Sequence, residues 1–333
     1  MLAVSLHRYG GPEVLQTEEV DIPRPGPGQV LLAVEAVAVG FAQTQMRRNE
    51  FPGPLWHPTF PVVLGGDVIG VVEKTGPGAG SFHEGDRVGG YLMHGAYAEW
   101  AVANTESLIP IPGQLDAAEA TILAGAGQIA AGVMATGGFR PGMSVLVHAA
   151  SGATGHLAVQ FAKVAGAGQI IATASAADKR EFARSLGADV VVDYTRPGWA
   201  EQIRRATGGR GVDLILDSIG GDVLLQGVDL LAPAGHLVFY GSAGGGAVIP
   251  QVSVLDLVAL KSVSGFSLTA WRTARPSEHL DTVSDLTRWL CSGQVHTSVF
   301  ARLPLSAAAA AHRLVEQRLH RGRVVLLPEL DRR

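Results

Sequence analysis

The residues with the clearest potential for chemistry form a glycine-containing turn near the middle of the chain. An apolar run at 144–148 leads directly into the small residues 149–155, and an apolar segment with helical spacing follows. A bound pyrophosphate needs free backbone N–H groups at the positive end of a helix, and side chains larger than glycine block its approach. This pattern predicts a dinucleotide site built from Ser151, Gly152, Ala153, Thr154 and Gly155. Because Ala149 stands where the common fingerprint has its first glycine, a tight turn without a ligand is the alternative.

The type of dinucleotide is indicated at the end of the next apolar run. An enzyme that uses NAD usually carries a carboxylate there, which binds the ribose hydroxyls and would repel a 2′-phosphate. This chain has Ser175 at that place and Lys179 four residues later, and a hydroxyl and an ammonium group suit a dianionic phosphate. We therefore expect NADPH. Two alternatives stay open: Lys179 could be a solvated helix residue, and Asp178 could bind the ribose if the turn were displaced.

The elements around this turn predict an α/β fold. Fully apolar strands that alternate with amphipathic helices are typical of a parallel sheet covered on both faces. Six such strands match a doubly wound Rossmann sheet, and we assign residues 123–266 to it. The predicted strands are 144–148, 169–174, 190–192, 213–217, 236–240 and 262–266.

The remaining residues predict a second, discontinuous domain. Residues 1–122 consist of short β-branched runs broken by glycine and proline, which favours an irregular, mainly β domain with a helix starting near Asp116. The tail, 267–333, ends in an apolar strand at 322–327. We assign this tail to the first domain, which then comprises residues 1–122 and 267–333.

Composition excludes several classes of protein. The chain has 333 residues and a net charge of −4, and it lacks the basic surface of a nucleic-acid-binding protein. No stretch is expected to reach the length of a membrane-spanning helix, so we expect a cytoplasmic protein without membrane contact. The single cysteine, Cys291, excludes an intrachain disulfide and a multi-cysteine metal site.

Several motifs, spread in order over nearly the whole chain, resemble the medium-chain dehydrogenase/reductase superfamily. Within it, the pattern is similar to the zinc-free quinone oxidoreductase (zeta-crystallin-like) branch. The motifs are Gly26-Pro27-Gly28-Gln29-Val30, Gly85-Asp86-Arg87-Val88, Gly95-Ala96-Tyr97-Ala98-Glu99, residues 149–155, Leu186-Gly187-Ala188-Asp189, Asp217-Ser218-Ile219-Gly220-Gly221 and Gly322-Arg323-Val324-Val325-Leu326.

The resemblance implies a GroES-like (chaperonin-10-like) catalytic domain beside the Rossmann domain, with nicotinamide bound in the cleft between them. It implies that Lys179 and Tyr194 hold the 2′-phosphate and that Ser242 lies near the nicotinamide. It also implies that Arg323 lies near the cofactor. The other expected cofactor residues are Ser218, Gly241 and Gln128.

Zinc enzymes of this superfamily carry a Cys ligand after the first long strands and a Gly-His-Glu sequence further on. Here those places read Val39-Gly40-Phe41-Ala42-Gln43-Thr44 and Gly65-Gly66-Asp67, so we expect no metal. Without a metal to polarise a carbonyl, alcohol oxidation lacks its usual electrophile. Hydride transfer to a quinone or an α,β-unsaturated carbonyl is easier, because the negative charge spreads onto an oxygen that a few donors can stabilise.

The substrate side departs from the family pattern. The branch commonly has Asn, Asp and Tyr in the segment that matches 41–46, and this chain does not. Our candidates for catalysis are Gln43, Thr44, Tyr91 and His94, of which His94 can donate a proton near neutral pH. The candidate walls for a planar, conjugated substrate are Phe41, Trp56 and Trp271.

Three functions remain open from the sequence. The first is an NADPH-dependent quinone or enone reductase. The second is a dedicated enoyl or ketone reductase on a biosynthetic intermediate such as a polyketide, and the third is a nucleotide-binding regulatory or structural protein with little turnover. We also expect a homodimer, because the last strand of the nucleotide sheet, 262–266, could pair with its copy in a second chain.

Overall fold

The structure is a computed structural model that describes residues 1–51, 56–244 and 250–332. The chain divides into two compact units, one comprising Met1–Ala126 with Thr297–Arg333 and the other Gly127–His296. The unit boundaries differ from the predicted domains in two segments: 123–126 belongs to the first unit, and 267–296 belongs to the second unit. There the ring of Trp289 lies 5.6 Å from that of Phe161, and the amide of Gln160 bonds the backbone of His296.

The first part of the first unit is mainly β, as predicted. Asp116 accepts a hydrogen bond from the backbone N–H of Glu119 at 3.0 Å and so caps the helix predicted near it. The strands are β1 (Leu2–Leu6), β2 (Leu15–Glu19), β3 (Gln29–Val39), β4 (Val62–Thr75), β5 (Arg87–His94), β6 (Trp100–Asn104) and β7 (Leu108–Pro110), and the helices are α1 (Phe41–Arg48) and α2 (Ala117–Ala124). Short 3₁₀ turns span Pro12–Val14 and Thr105–Ser107.

The second unit is α/β. Its strands are β8 (Ser144–Val147), β9 (Gln169–Thr173), β10 (Val190–Val192), β11 (Val212–Asp217), β12 (Leu231–Phe239) and β13 (Ser262–Gly265). Its helices are α3 (Ala126–Thr136), which begins at the unit boundary, α4 (Gly155–Val164), α5 (Ala177–Ser185), α6 (Trp199–Ala206), α7 (Gly221–Leu230), α8 (Leu268–Ala274) and α9 (Pro276–Cys291), with a 3₁₀ turn at Val254–Leu257.

These strands confirm the predicted Rossmann sheet. Their order is β10-β9-β8-β11-β12-β13, and each neighbouring pair is parallel. This is the strand order 3-2-1-4-5-6 of doubly wound dinucleotide folds, in which ligands bind outside the carboxyl ends of the strands where the order reverses. The reversal lies between β8 and β11. The residues of β8 are all buried, which explains their continuous apolar run.

The end of the chain returns to the first unit, as predicted. After β14 (Val299–Leu303), a 3₁₀ turn at Leu305–Ala307 and α10 (Ala308–Glu316), strand β15 (Arg323–Leu326) pairs antiparallel with β3. The order of this sheet is β14-β15-β3-β4-β1-β2, with β5, β6 and β7 attached beside it. A final 3₁₀ turn spans Pro328–Arg332.

One helical stretch corrects a sequence expectation. Ala117–Thr136, which contains α2 and α3, is long and apolar enough to cross a membrane by length and composition. However, 78% of its apolar window is buried inside the protein. A core helix passes the same test, so this stretch is weak evidence for a membrane segment.

Candidate functional site

The predicted phosphate turn connects β8 to α4. Ala149 has a φ of 49°, a left-handed conformation that explains why this position is usually glycine. A Cβ atom on Gly155 would lie 2.3 Å from the carbonyl oxygen of Ala149, so the turn closes only with glycine at 155. The sequence requirement for a glycine therefore follows from a close approach of two backbone segments.

The turn presents backbone donors where a pyrophosphate would bind. The N–H groups of Ser151, Ala153 and Thr154 donate no hydrogen bond to any other residue in the described part of the chain. The Nδ1 atom of His156 lies 2.9 Å from the carbonyl oxygen of Gly152, and because that oxygen accepts, Nδ1 carries the proton. The turn thus fits a pyrophosphate at the start of α4.

A buried histidine lies under the turn, and the sequence analysis missed it. His148 follows β8 directly, and its Nδ1 atom is 2.9 Å from the hydroxyl of Thr173. Burial lowers the pKa of His148, and the nearby carboxylate of Asp217 partly opposes that shift. Thr173 also accepts the backbone N–H of Ala150 at 3.0 Å. His148 therefore connects the carboxyl ends of adjacent strands beneath the phosphate turn.

The predicted adenosine-end residues lie at the carboxyl ends of β9 and β10. Lys179 is in the first turn of α5 and is only 8% exposed, whereas Asp178 is exposed. Ser175 precedes this helix and Tyr194 follows β10, and both are half-buried. The sheet order makes β9 and β10 neighbours, so these elements meet at one edge.

Two further charged residues occupy the same edge. Arg180 Nη1 lies 3.0 Å from Asp193 Oδ2 and 3.2 Å from the carbonyl oxygen of Ala174. Neither Arg180 nor Asp193 was predicted as a site residue. Their positions next to Lys179 and Tyr194 in the sequence were visible, but their pairing across the β9–β10 edge was not.

The loops after β11 and β12 dock on each other. The backbone N–H of Ala243 donates to the carbonyl oxygen of Ser218 at 2.9 Å, and that of Tyr240 donates to Asp217 at 2.9 Å. A Cβ atom on Gly241 would lie 3.3 Å from the Ser218 carbonyl oxygen. The structure therefore brings the predicted Ser218 and Gly241 together, with Ser242 next in the chain. Burial raises the pKa of Tyr240 to about 12, so its hydroxyl stays protonated.

Gln128 belongs to a buried cluster within the second unit. Its Oε1 atom accepts from Arg272 Nη2 at 2.7 Å, from Arg272 Nε at 3.2 Å and from His279 Nε2 at 2.7 Å. Burial, assisted by Arg272, lowers the pKa of His279 to about 4, so His279 is neutral with its proton on Nε2. The Gln128 oxygen therefore accepts hydrogen bonds from residues of α8 and α9, and the predicted contact of Gln128 with the cofactor stays a prediction.

Two predicted aromatic walls, Trp271 and Trp56, have almost completely buried side chains, and their assignment as walls stays a prediction. Trp271 is 5% exposed, donates to Glu278 at 2.9 Å and has its ring 5.3 Å from that of His279. Trp56 is also 5% exposed and donates to the carbonyl oxygen of Met46 at 2.9 Å. Phe41 is only partly buried at the start of α1 and remains a candidate wall.

The predicted catalytic residues lie in the first unit and differ in what they can do. Thr44 is fully buried and its hydroxyl donates to the carbonyl oxygen of Phe41 at 2.7 Å, and its place among the catalytic candidates stays a prediction. Gln43 Nε2 donates to the Tyr91 hydroxyl at 3.4 Å, which brings these two together. Burial, and secondarily the charge of Asp67, raises the pKa of Tyr91, so its hydroxyl is protonated. His94 is exposed at the end of β5.

Arg323 forms an ion pair within the first unit. Its Nη2 atom is 2.6 Å from Asp67 Oδ2, and the same oxygen accepts the backbone N–H of Ala126 at 3.2 Å. Arg323 is 2% exposed. The counter-charge of the Asp67 carboxylate is thus a guanidinium. Arg323 contacts Asp67 within the first unit, and its predicted place near the cofactor stays a prediction.

Helix α1 is anchored from its far end by a second buried network. Arg47 donates through Nε to His312 Nδ1 at 3.2 Å and forms an ion pair with Glu316. The other ring nitrogen of His312 is 3.2 Å from the Tyr97 hydroxyl. Because Nδ1 accepts from a cation, His312 is neutral, and burial together with Arg47 lowers its pKa to about 3.

Within residues 1–51, 56–244 and 250–332, no group of three or more His, Cys, Asp or Glu side chains could hold a metal ion.

Comparison with known proteins adds family matches to both units. The family model described as "Alcohol dehydrogenase GroES-like domain" matches residues 26–113, and the one described as "Zinc-binding dehydrogenase" matches residues 153–285. The first match lies in the mainly β unit and the second in the Rossmann unit.

Individual relatives cover the chain almost completely. A 2-haloacrylate reductase from Burkholderia sp is 37% identical over 99% of both chains. The structure of Escherichia coli quinone oxidoreductase complexed with NADPH superposes with a TM-score of 0.90 at 28% identity, over 98% of this chain and 100% of that one. A phthioceranic/hydroxyphthioceranic acid synthase from Mycobacterium tuberculosis is 33% identical over 91% of this chain, which corresponds to 14% of the synthase.

Proposed function

Because this chain belongs to the zinc-free quinone oxidoreductase branch of the medium-chain dehydrogenase/reductase superfamily, we propose that it reduces a quinone or an α,β-unsaturated carbonyl compound with NADPH. The observation that carries this proposal is the phosphate turn at 149–155, with its unused backbone N–H groups and the buried Lys179 at the adenosine edge. The relative named as a 2-haloacrylate reductase supports this proposal, because a haloacrylate contains a conjugated C=C bond that can accept a hydride.

NADPH, when bound, supplies the hydride. The chain itself supplies the backbone donors of Ser151, Ala153 and Thr154 for the pyrophosphate and the ammonium group of Lys179 for the 2′-phosphate. In the first unit, we propose Tyr91 and His94 as the candidate proton donors. Tyr91 is supported because its phenol carries a transferable proton and is oriented by the hydrogen bond that Gln43 Nε2 donates to it.

An acceptor panel tests the activity. We expect NADPH consumption with benzoquinone, a 2-haloacrylate or an enoyl thioester, and none with the matched saturated compounds, because only a conjugated acceptor spreads the charge of the added hydride. Consumption with saturated ketones, increased by added zinc, would contradict the proposal. Equal rates with both classes of acceptor would also contradict it.

A second candidate is the reduction of an enoyl intermediate carried by a biosynthetic enzyme. It is supported by the similarity to a segment of a mycobacterial acid synthase and by the departure of residues 41–46 from the branch pattern. Activity that is restricted to enoyl thioesters, with quinones inactive, would favour it. Binding of NADPH without turnover of any acceptor would favour a regulatory role.

We further propose a homodimer formed through β13. This strand ends the described sheet order, and four large apolar side chains that precede it are 74–78% exposed. They are Val254, Leu255, Val258 and Leu260. A paired edge would cover them and complete the hydrogen bonding of β13.

Light scattering tests the dimer. Leu255→Glu combined with Val258→Glu should convert a dimer into a monomer, whereas Leu280→Glu, at a 63% exposed position on α9, should not. A monomeric mass for the unmodified protein contradicts the dimer.

We also propose a soluble, cytoplasmic protein that takes small-molecule substrates and binds neither membranes nor nucleic acid. Fractionation of cells that carry a tagged chain would test this proposal.

A further inference from the structure

The adenosine edge contains a cation with no role assigned so far. Arg180 follows Lys179 on α5, and its Nη1 atom is 3.2 Å from the carbonyl oxygen of Ala174. Ala174 directly follows β9, which is the second strand of the doubly wound sheet. In dinucleotide folds, the carboxyl end of this strand distinguishes a ribose hydroxyl from a 2′-phosphate. The guanidinium of Arg180 therefore lies at the point of cofactor selection.

A carboxylate lies beside this guanidinium. Asp193 directly follows β10, and its Oδ2 atom is 3.0 Å from Arg180 and 3.7 Å from Arg196. The hydroxyl of Thr195 donates to Asp193 Oδ1 at 2.6 Å and is the largest cause of a lowered Asp193 pKa, with Arg180 and Arg196 adding smaller contributions. Asp193 is thus ionised at neutral pH, and without a counter-charge it would repel a 2′-phosphate.

The ion pair leaves part of the Arg180 guanidinium available. Both contacts of Arg180 use Nη1, and its Nε and Nη2 atoms donate no hydrogen bond to a residue within the described ranges. The Arg180 side chain is 23% exposed, so a ligand can reach it. A guanidinium has five N–H donors in a planar fork that matches phosphate geometry. Arg180 can therefore hold Asp193 and bind a phosphate at the same time.

We propose that Arg180 is a specificity-determining residue for NADPH, which neutralises Asp193 and binds the 2′-phosphate together with Lys179. This inference rests on the NADPH use proposed above and is independent of the identity of the acceptor. The effect of Asp193 then depends on Arg180. While Arg180 neutralises the carboxylate, the 2′-phosphate can bind beside it; without Arg180, the carboxylate repels the 2′-phosphate.

Isothermal titration of the full-length protein with NADP⁺ and NAD⁺ tests this role without using activity. Arg180→Ala should weaken NADP⁺ binding by about tenfold, the low end for a charge-assisted contact because the site is partly exposed, and should change NAD⁺ binding by less than about twofold. Asp193→Asn alone should leave NADP⁺ binding unchanged or tighten it. The double variant should bind NADP⁺ more tightly than Arg180→Ala, because the uncompensated carboxylate is gone, but less tightly than Asp193→Asn, because the contact of Arg180 with the phosphate is also lost.

Two controls separate this role from a structural one. Arg180→Gln keeps most of the side-chain length and should show the same selective loss, with circular dichroism and thermal unfolding confirming the fold. Arg184→Ala changes an exposed arginine one turn later on α5, whose partner is Glu181 at 3.5 Å, and should leave both affinities unchanged.

The outcomes distinguish the possible failures. If both Arg180 variants weaken the binding of NADP⁺ and NAD⁺ equally, or if they change the binding of neither nucleotide, Arg180 has no selective role and the inference is overturned. Failure of Asp193→Asn to compensate overturns the neutralisation of Asp193. If the unmodified protein binds neither nucleotide, the proposed function fails as well.

Discussion

Replacing Arg323 by methionine should destabilise the first unit and leave cofactor affinity unchanged. Arg323 and Asp67 form a buried pair at 2.6 Å, with side chains that are 2% and 14% exposed. Removing one partner of such a pair costs about 3–5 kcal/mol, because an uncompensated charge stays buried. We expect the lower end, about 3 kcal/mol, because the backbone N–H of Ala126 still donates to Asp67.

The corresponding thermal shift can be measured directly. For a unit of this size, about 1 kcal/mol shifts Tm by roughly 2–4 °C, so Arg323→Met should lower Tm by roughly 6–12 °C. Scanning calorimetry is the assay, with Asp67→Asn and the double variant completing the cycle. The double variant should be more stable than the sum of the single losses predicts, because each single change leaves an unpaired group and the double change leaves none.

The same variants decide between two roles for Arg323. If Arg323 instead binds the cofactor, Arg323→Met will weaken NADP⁺ binding while Tm changes by less than about 2 °C. That result would refute the assignment of Arg323 to a structural ion pair. Titration of the unmodified protein and of Asp67→Asn with NADP⁺ provides the matched comparison.

Three further predictions concern other parts of the chain. Lys179→Ala should weaken NADPH by about 1–3 kcal/mol and NADH much less, as measured by fluorescence titration, and an equal loss for both would contradict its role. Thr44→Val should leave kcat within about twofold of that of the unmodified protein, because the Thr44 hydroxyl donates to the carbonyl oxygen of Phe41. Tyr91→Phe should lower kcat by about 10²-fold or more if Tyr91 is the proton donor. The pKa of His312 falls from 6.5 in the unfolded chain to about 3 in the folded protein, so the free energy of unfolding should decrease as the pH falls from about 6.5 toward 3. His312→Gln should flatten that part of a plot of denaturant midpoint against pH. An unchanged plot would contradict the assignment.

Sequence reasoning succeeded for the Rossmann fold because its signals are local. Each strand of that sheet is a short apolar run, and the phosphate turn is contiguous in sequence. The left-handed Ala149 and the tight approach of Gly155 then show why the turn needs small residues. The last strand was predicted from its apolar, β-branched character, and it pairs with β3 of the first unit.

Sequence reasoning failed where side chains pair over long distances. Asp67 and Arg323 are 256 residues apart, and Gln128 is 144 residues from Arg272. Each pairing involves a residue that was predicted to bind the cofactor, and its partner could not be identified from the sequence. Trp56 and Trp271 were interpreted as pocket walls, although an aromatic residue with a nearby acceptor for its N–H is equally suited to a core.

The end of the second unit was difficult to predict because it also depends on contacts between residues that are distant in the sequence. Residues 267–296 have the mixed composition of the tail, and their membership in the second unit depends on contacts such as that of Trp289 with Phe161. Neither residue carries a sequence signal for that contact.

Hydride tracing tests the central claim most directly. Protein treated with a chelator and then freed of it is mixed with an enone and with NADPH that carries deuterium at both C4 positions of the nicotinamide, and the product is examined by mass spectrometry. We predict one deuterium on the β-carbon of the product, at a rate that chelation does not change. Loss of transfer after chelation with recovery by zinc, or a product without deuterium, would contradict a reduction carried out by the chain and NADPH alone.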